Sequence, residues 1–203
     1  MIVKLCGLRR DEDVEYVNEF MPDYVGFIFA ENSKRTVTIE QAKALSKNLS
    51  SYIQKVGVFV NQSIEYIKRV VDEVGLNVYQ LHGDEDNNYI EKISNTIDAE
   101  IWRAVRVRGS EDIALADSLG VDTILLDSFM EGQYGGTGRV ADWNIISNTK
   151  IKTPFFLAGG LNEDNIIKAI ETVKPYGVDI SGGIETNGFK DRKKIERLMN
   201  LIR

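Results

Sequence analysis

The chain contains one cysteine and one histidine in 203 residues, and no apolar run approaches the roughly 18 residues that a membrane-spanning helix requires. A lone cysteine excludes a disulfide within the chain and suits a reducing compartment. With one Cys and one His, the usual ligand set of a zinc site is not to be expected. A basic stripe is also missing. The formal charge is −6, so no surface for nucleic-acid phosphates is expected, and an anionic ligand would have to be held by local charges and amides. The first residues lack the basic start, long apolar middle and small-residue cleavage site of a secretion signal, so the cytoplasm is the expected location. No Pro-rich or low-complexity linker interrupts the pattern. The expectation is a single domain over residues 1–203.

What is present is an alternation of short apolar runs with amphipathic, charge-rich stretches. The strand candidates are Ile2 to Cys6, Tyr24 to Phe29, Gln54 to Phe59, Asn77 to Leu81, Ile101 to Val107, Thr123 to Asp127, Pro154 to Ala158 and Val178 to Ser181. Between them apolar residues recur at i, i+3 and i+4, as in Ile64, Ile67, Val70 and Val71. Thr38 with Gln41 spells a capping box, Ser63 precedes the third helix, and Asn162 is read as opening the seventh. The last stretch, Lys190 to Ile202, reads as a closing helix near the first strand. An α/β chain of eight such units implies parallel strands, either closed as a (β/α)8 barrel or open as a doubly wound sheet. Eight units in 203 residues favour the barrel, at the short end of the ~200 to 400 residues usual for it.

Side chains on a barrel strand alternate between the interior and the helix layer, and active sites gather at the strands' C-terminal ends. Lys4 and Cys6 then point inward on the first strand, as do Leu125 and Asp127 on the sixth. A thiol and a carboxylate are thus expected at one mouth. A buried Lys4 would need a counter-charge, and Asp179 on the eighth strand is the candidate. Ala158-Gly159-Gly160-Leu161-Asn162 and Ser181-Gly182-Gly183-Ile184-Glu185 are one device used twice: a strand end, two glycines, an aliphatic residue and a polar one. Glycines let backbone amides approach an anion, and the loops after strands seven and eight are where barrels often bind phosphate. Gly136 to Ala141 loosely matches a dinucleotide fingerprint, but it starts too far after its strand, and Gly132 to Gly138 reads better as a loop over the mouth. Lys34 and Arg35 bring positive charge after the second strand. His82 reads as a hydrogen-bonding residue, and a Cys-His hydrolase pair is not expected from strands one and four.

Taken together, Lys4-Leu5-Cys6-Gly7-Leu8, Gly26-Phe27-Ile28-Phe29 with Ser33-Lys34-Arg35, Val56-Gly57-Val58-Phe59, Gln80-Leu81-His82-Gly83, Leu126-Asp127 with Gly135-Gly136-Thr137-Gly138, the Gly159-Gly160 loop and Asp179-Ile180-Ser181 through Glu185 resemble the phosphoribosylanthranilate isomerases of tryptophan biosynthesis. The resemblance implies a phosphate-binding TIM barrel with Cys6 as general base and Asp127 as general acid. It also implies that Arg35 holds the anthranilate carboxylate, that Gly159, Gly160, Ser181 and Gly182 hold the phosphate, and that His82 supports the substrate site. Many members carry a second serine where this chain has Gly182, so the amide alone would serve there. The implied reaction is an Amadori rearrangement of a small phosphosugar, needing no metal or nicotinamide cofactor, in a monomer or homodimer with no nucleic-acid or membrane partner. A free thiol titrates near ~8.5 and a free Asp near ~3.9, so each group needs its surroundings to reach the working state. Other phosphosugar barrels remain as alternatives: an aminoaldose isomerase of histidine biosynthesis, which uses an aspartate where Cys6 stands, an indole-forming cyclase, or a noncatalytic phosphate-ligand barrel.

Overall fold

A computed structural model describes residues 1–31, 33–128 and 143–203. Eight strands follow one another in chain order and form a closed barrel, not an open sheet: β1 (Ile2–Cys6), β2 (Tyr24–Ile28), β3 (Gln54–Phe59), β4 (Val78–Leu81), β5 (Glu100–Val107), β6 (Thr123–Ser128), β7 (Phe155–Ala158) and β8 (Gly177–Ile180). The helices among the described residues are α1 (Asp11–Phe20), α2 (Ile39–Lys47), α3 (Ile64–Val74), α4 (Asn87–Ser94), α5 (Ser110–Asp117), α6 (Trp143–Ser147), α7 (Ile166–Val173) and α8 (Arg192–Ile202). The strands agree with the sequence pattern to within a residue at each end. No helix among the described residues is long and apolar enough to cross a membrane. The glycine-rich stretch from Gly132 to Gly138, the Gly136 to Ala141 match and Asn32 lie outside the described residues.

The α3 helix shows why these segments take the forms they do. Ser63 Oγ accepts from the Tyr66 amide at 3.2 Å, which satisfies one of the first turn's spare donors. Ile67, Val70, Val71 and Val74 are buried along one face, and Gly75 ends the helix in the left-handed region at φ 68°. Each buried aliphatic side chain contributes about 1.5 to 3 kcal/mol. The exposed pairs Lys68–Asp72 and Arg69–Glu73 add only about 0.3 to 0.5 kcal/mol each, so packing decides the helix. At α2, Thr38 Oγ1 accepts from the Gln41 amide and Gln41 Oε1 from the Thr38 amide, the reciprocal box read in the sequence.

The chain divides into two compact units, Leu5–Ala104 and Met1–Lys4 with Val105–Arg203. In the first, β2 pairs with β3 from Tyr24↔Gln54, β3 with β4 from Val56↔Val78 and β4 with β5 from Val78↔Glu100, all parallel. In the second, β6 pairs with β7 and β7 with β8, and α8 buries Ile195, Leu198 and Met199 as it packs near α7 and a 3-10 turn at Gly182–Ile184.

Three details differ from the sequence reading. The α7 helix begins at Ile166, not just after Asn162, because Asn162 and Asn165 spend their side chains on local backbone groups: Asn162 Oδ1 accepts from the Asp164 amide, and Asn165 Oδ1 from the Asn162 amide, both at 2.9 Å. The last helix begins at Arg192, since Asp191 caps it by accepting from the Lys193 and Lys194 amides. Lys190 instead belongs to a small antiparallel hairpin of β9 (Glu185–Thr186) and β10 (Phe189–Lys190). Its turn is Asn187-Gly188 with both φ values positive, 53° and 78°, the pair that two-residue hairpin turns demand.

Candidate active site

Cys6 closes β1 and is buried, at 6% exposure. Room for the thiol comes from the neighbouring strand. A Cβ on Gly26 would lie 2.6 Å from Cys6 Sγ, so a side chain there would push the sulfur aside. The chain then turns at Gly7, φ 89°, and the Gly7 and Leu8 amides donate to Gly26 O at 2.9 and 3.1 Å. Asp13 completes the hold: it is 1% exposed and accepts from the Arg9 and Arg10 amides and from the Arg10 guanidinium. The segment after Cys6 is therefore tied to β2 and to the start of α1. The thiol sits on a stiff support.

Arg35 stands half-buried in the turn after β2, with its amide donating to Ser33 Oγ at 3.1 Å. Arg9 Nη1 donates to Lys34 O at 2.7 Å, a link that the sequence pattern did not indicate. His82 follows β4; its amide donates to Phe59 O, and its Nδ1 lies 3.2 Å from Gln80 Nε2. The loop after it is clamped by Glu85, whose carboxylate accepts from the Asn61 and Gly83 amides and pairs with Arg103 at 2.7 Å. Arg103 donates in turn to Leu81 O and Gly83 O.

In the other unit the expected buried pair is present: Lys4 Nζ lies 3.0 Å from Asp179 Oδ1, with the two side chains 0% and 10% exposed. Such a pair is retained only where both charges are matched, since removing one partner strands the other. Asp127, on β6, feels the result. Burial pushes its carboxyl above the ordinary aspartate value, the Asp179 carboxylate pushes the same way, and the Arg106 guanidinium pulls against them. An aspartate in this setting can hold a proton that a solvated one has already lost.

The two glycine loops meet. A Cβ on Gly183 would lie 1.9 Å from Leu161 O, so the loop after β8 rests directly on the backbone of the loop after β7. Gly159 and Gly160 take φ values of 90° and 66°, open to glycine at little cost. Gly160 O accepts from Asn162 Nδ2 and Asn165 Nδ2 at 3.2 and 3.0 Å. Ser181 O accepts from Lys190 Nζ at 3.0 Å. Carbonyls on both loops are thus taken by the protein's own donors. Amides at the start of the Gly182–Ile184 turn have no carbonyl within that turn to bond. Among the described residues no group of three or more His, Cys, Asp or Glu side chains converges to hold a metal ion.

With this geometry in hand, comparison with known proteins decides the family. Residues 3–201 match the family model described as N-(5′-phosphoribosyl)anthranilate isomerase. The chain belongs to the N-(5′-phosphoribosyl)anthranilate isomerase family. Curated relatives of that name include one from Thermoanaerobacter pseudethanolicus, 43% identical over 201 residues and covering 99% of this chain and 97% of its own. Another, from Acetivibrio thermocellus, is 45% identical over 208 residues, covering 99% and 95%. The crystal structure of the Thermotoga maritima phosphoribosyl anthranilate isomerase is 35% identical and covers 98% of both chains with a TM-score of 0.88. A phosphoribosyl anthranilate isomerase in complex with reduced 1-(o-carboxyphenylamino)-1-deoxyribulose 5-phosphate is 34% identical, covering 98% of this chain and 97% of that one with a TM-score of 0.84. The chain is accordingly an isomerase of tryptophan biosynthesis, the first of the readings that its sequence left open.

Contacts in the structure bring out residues that sequence reasoning passed over. Glu85 and Arg103, Lys190, and Asp13 carry no substrate chemistry in their spacing, yet each holds a loop that follows a strand. Only Asn187-Gly188, a strong hairpin signal, could have pointed to the register that places Lys190 opposite Glu185.

Proposed function

We propose that Asp127 and Cys6 are the acid and base of the isomerisation, in one catalytic domain over residues 1–203. The substrate is N-(5′-phosphoribosyl)anthranilate. Asp127, protonated, delivers its proton to the furanose ring oxygen; the C1–O bond breaks and the anthranilate nitrogen supplies the electron pair that makes an iminium. The iminium acidifies the C2 proton, which the Cys6 thiolate removes to give an enolamine. Return of a proton to C1, with loss of the C2 hydroxyl proton, turns C2 into a carbonyl and yields the aminoketone, 1-(2-carboxyphenylamino)-1-deoxyribulose 5-phosphate. No electron leaves the substrate, so the step balances without an external oxidant.

The observation that carries this reading is the raised carboxyl of Asp127, an acid whose proton is held by burial and by a carboxylate pinned in place by Lys4. Support for the base comes from the space that Gly26 leaves for the Cys6 sulfur. Arg35 is assigned to the anthranilate carboxylate, His82 to a supporting contact, and Gly159, Gly160, Ser181 and Gly182 to the phosphate. Amides and glycines suit an anion because they approach it without a side chain between. The bound sugar phosphate of the related complex is consistent with this class of ligand. The protein is read as cytoplasmic and as a monomer or homodimer; a Thermotoga maritima relative is described as dimeric.

The test is the loss of anthranilate fluorescence when purified protein meets N-(5′-phosphoribosyl)anthranilate, repeated with Cys6→Ser and Asp127→Asn. Turnover that both variants keep in full would remove the assignment of acid and base.

A further inference from the structure

The buried ion pair between Lys190 and Glu185 has no part in the acid-base chemistry, and burying two charges is costly unless their geometry is used. Their side chains are 1% and 7% exposed, with Nζ 2.9 Å from Glu185 Oε1. The Asn187-Gly188 turn sets the register that places the two residues opposite each other across β9 and β10. Lys190 has a second contact that matters more: Nζ donates to Ser181 O at 3.0 Å.

We infer that Lys190, held by Glu185, is a positioning residue for the substrate's phosphate, because its ammonium fixes the Ser181 carbonyl and thereby aims the Gly182 amide at the phosphoryl group. This rests on the reading of the two glycine loops as the phosphate site. The peptides among the described residues are trans, and in a trans peptide the C=O and the following N–H point in opposite directions. With Ser181 O turned onto the ammonium, the Gly182 N–H is turned to the other side. A cation on the carbonyl also polarises the peptide and makes that N–H a stronger donor. The loop after β7 also has a held carbonyl, since Asn162 and Asn165 bond Gly160 O, but there the amide turned away is that of Leu161, so the Gly160 amide serves as a reporter that Lys190 does not orient. Gly182 has no hydroxyl to offer, so the orientation of its amide is what this position contributes.

The inference is tested on full-length, isotope-labelled protein by titrating inorganic phosphate while following the Gly160 and Gly182 amide resonances, together with steady-state kinetics. In the unaltered protein both amides shift; if neither shifts, the loops do not hold phosphate, and the site and the inference fall together. A Lys190→Met, Glu185→Leu double variant removes both charges and leaves no stranded carboxylate. Its phosphate Kd and its KM are expected to rise about tenfold, the value of one charge-assisted hydrogen bond. Its kcat is expected to stay within about twofold, the Gly160 shift to persist and the Gly182 shift to fade. Lys190→Arg, which keeps the charge, is expected to recover part of the affinity. A double variant that binds phosphate as tightly as the unaltered protein overturns the inference and leaves the site standing. A lowered kcat with unchanged KM overturns it, as does loss of the folded near-ultraviolet circular dichroism, since the pair would then be holding the fold and not the loop.

Discussion

The loops after β4 and β8 are both clamped by a buried ion pair, and they use it in different ways. In the first, the Glu85 carboxylate takes two backbone amides, those of Asn61 and Gly83, while Arg103 takes the carbonyls of Leu81 and Gly83. Both kinds of backbone group are consumed, the Asn61 amide being contributed by the loop after β3. In the second, Lys190 takes the carbonyl of Ser181, and Glu185 matches the charge of Lys190. The carbonyl is held, and the amide that follows it is the one proposed to meet the phosphate. In both loops a cation holds backbone carbonyls, and the difference is that in the first the Glu85 carboxylate also takes amides, whereas in the second Glu185 is spent on Lys190.

Four experiments sharpen or break this contrast. The largest effect lies outside both loops. Asp127→Asn is expected to lower kcat by about 10²- to 10⁴-fold in the fluorescence assay while the phosphate-induced shift of Gly182 persists. The acid must be protonated while the Cys6 base is ionised, so turnover at saturating substrate should trace a bell against pH, with one limb set by the raised Asp127 carboxyl; a profile with no limb above the ordinary aspartate range would sink the assignment. Stability has its own sign. Where the folded pKa is the higher, the folded state binds more protons, and stability declines as pH rises from the unfolded value near ~3.9 through the folded one. Asp127→Asn escapes that decline, and urea unfolding at neutral pH should find it more stable than the unaltered protein.

Next in size is Arg103→Met, which strands the Glu85 carboxylate. Urea unfolding should show a loss of about 3 to 5 kcal/mol, with inorganic phosphate binding unchanged in the fraction that remains folded. Weakened phosphate binding would break the division between the two loops. Gly183→Ala drives a methyl group into Leu161 O, a backbone atom that cannot swing away. A stability loss of about 1 to 3 kcal/mol is expected, with phosphate affinity falling alongside it in a titration. Smallest is Gly188→Ala, which asks alanine to hold φ 78° in the hairpin turn. It should cost about 1 kcal/mol in unfolding yet still raise KM measurably, because the turn sets the register of Lys190.

Much of this was legible beforehand because it is periodic or local. Strand alternation called for a buried Lys4 paired with Asp179, which the structure shows, and the capping signals at Thr38 and Ser63 were met atom for atom. Where local signals competed, reading was poorer. Asn162 looked like a helix cap but spends its side chain within its own loop, donating to Gly160 O and accepting from the Asp164 amide, and Lys190 looked like the first residue of the last helix but is a strand residue. Glu85 and Arg103 gave no signal, since a carboxylate and a guanidinium 18 residues apart look like any two solvated charges.

The sequence by itself determined the barrel, the strand ends that carry the thiol and the carboxylate, and the paired glycines, because side-chain period, turn chemistry and the freedom of glycine are properties of a few neighbouring residues. The tertiary structure decided which charges meet. Lys4 and Asp179 are 175 residues apart, and the proton affinity of Asp127 depends on a carboxylate and a guanidinium brought to it from other strands. Electrostatic energy depends on distance in space and on exclusion of water, and neither is written in chain spacing.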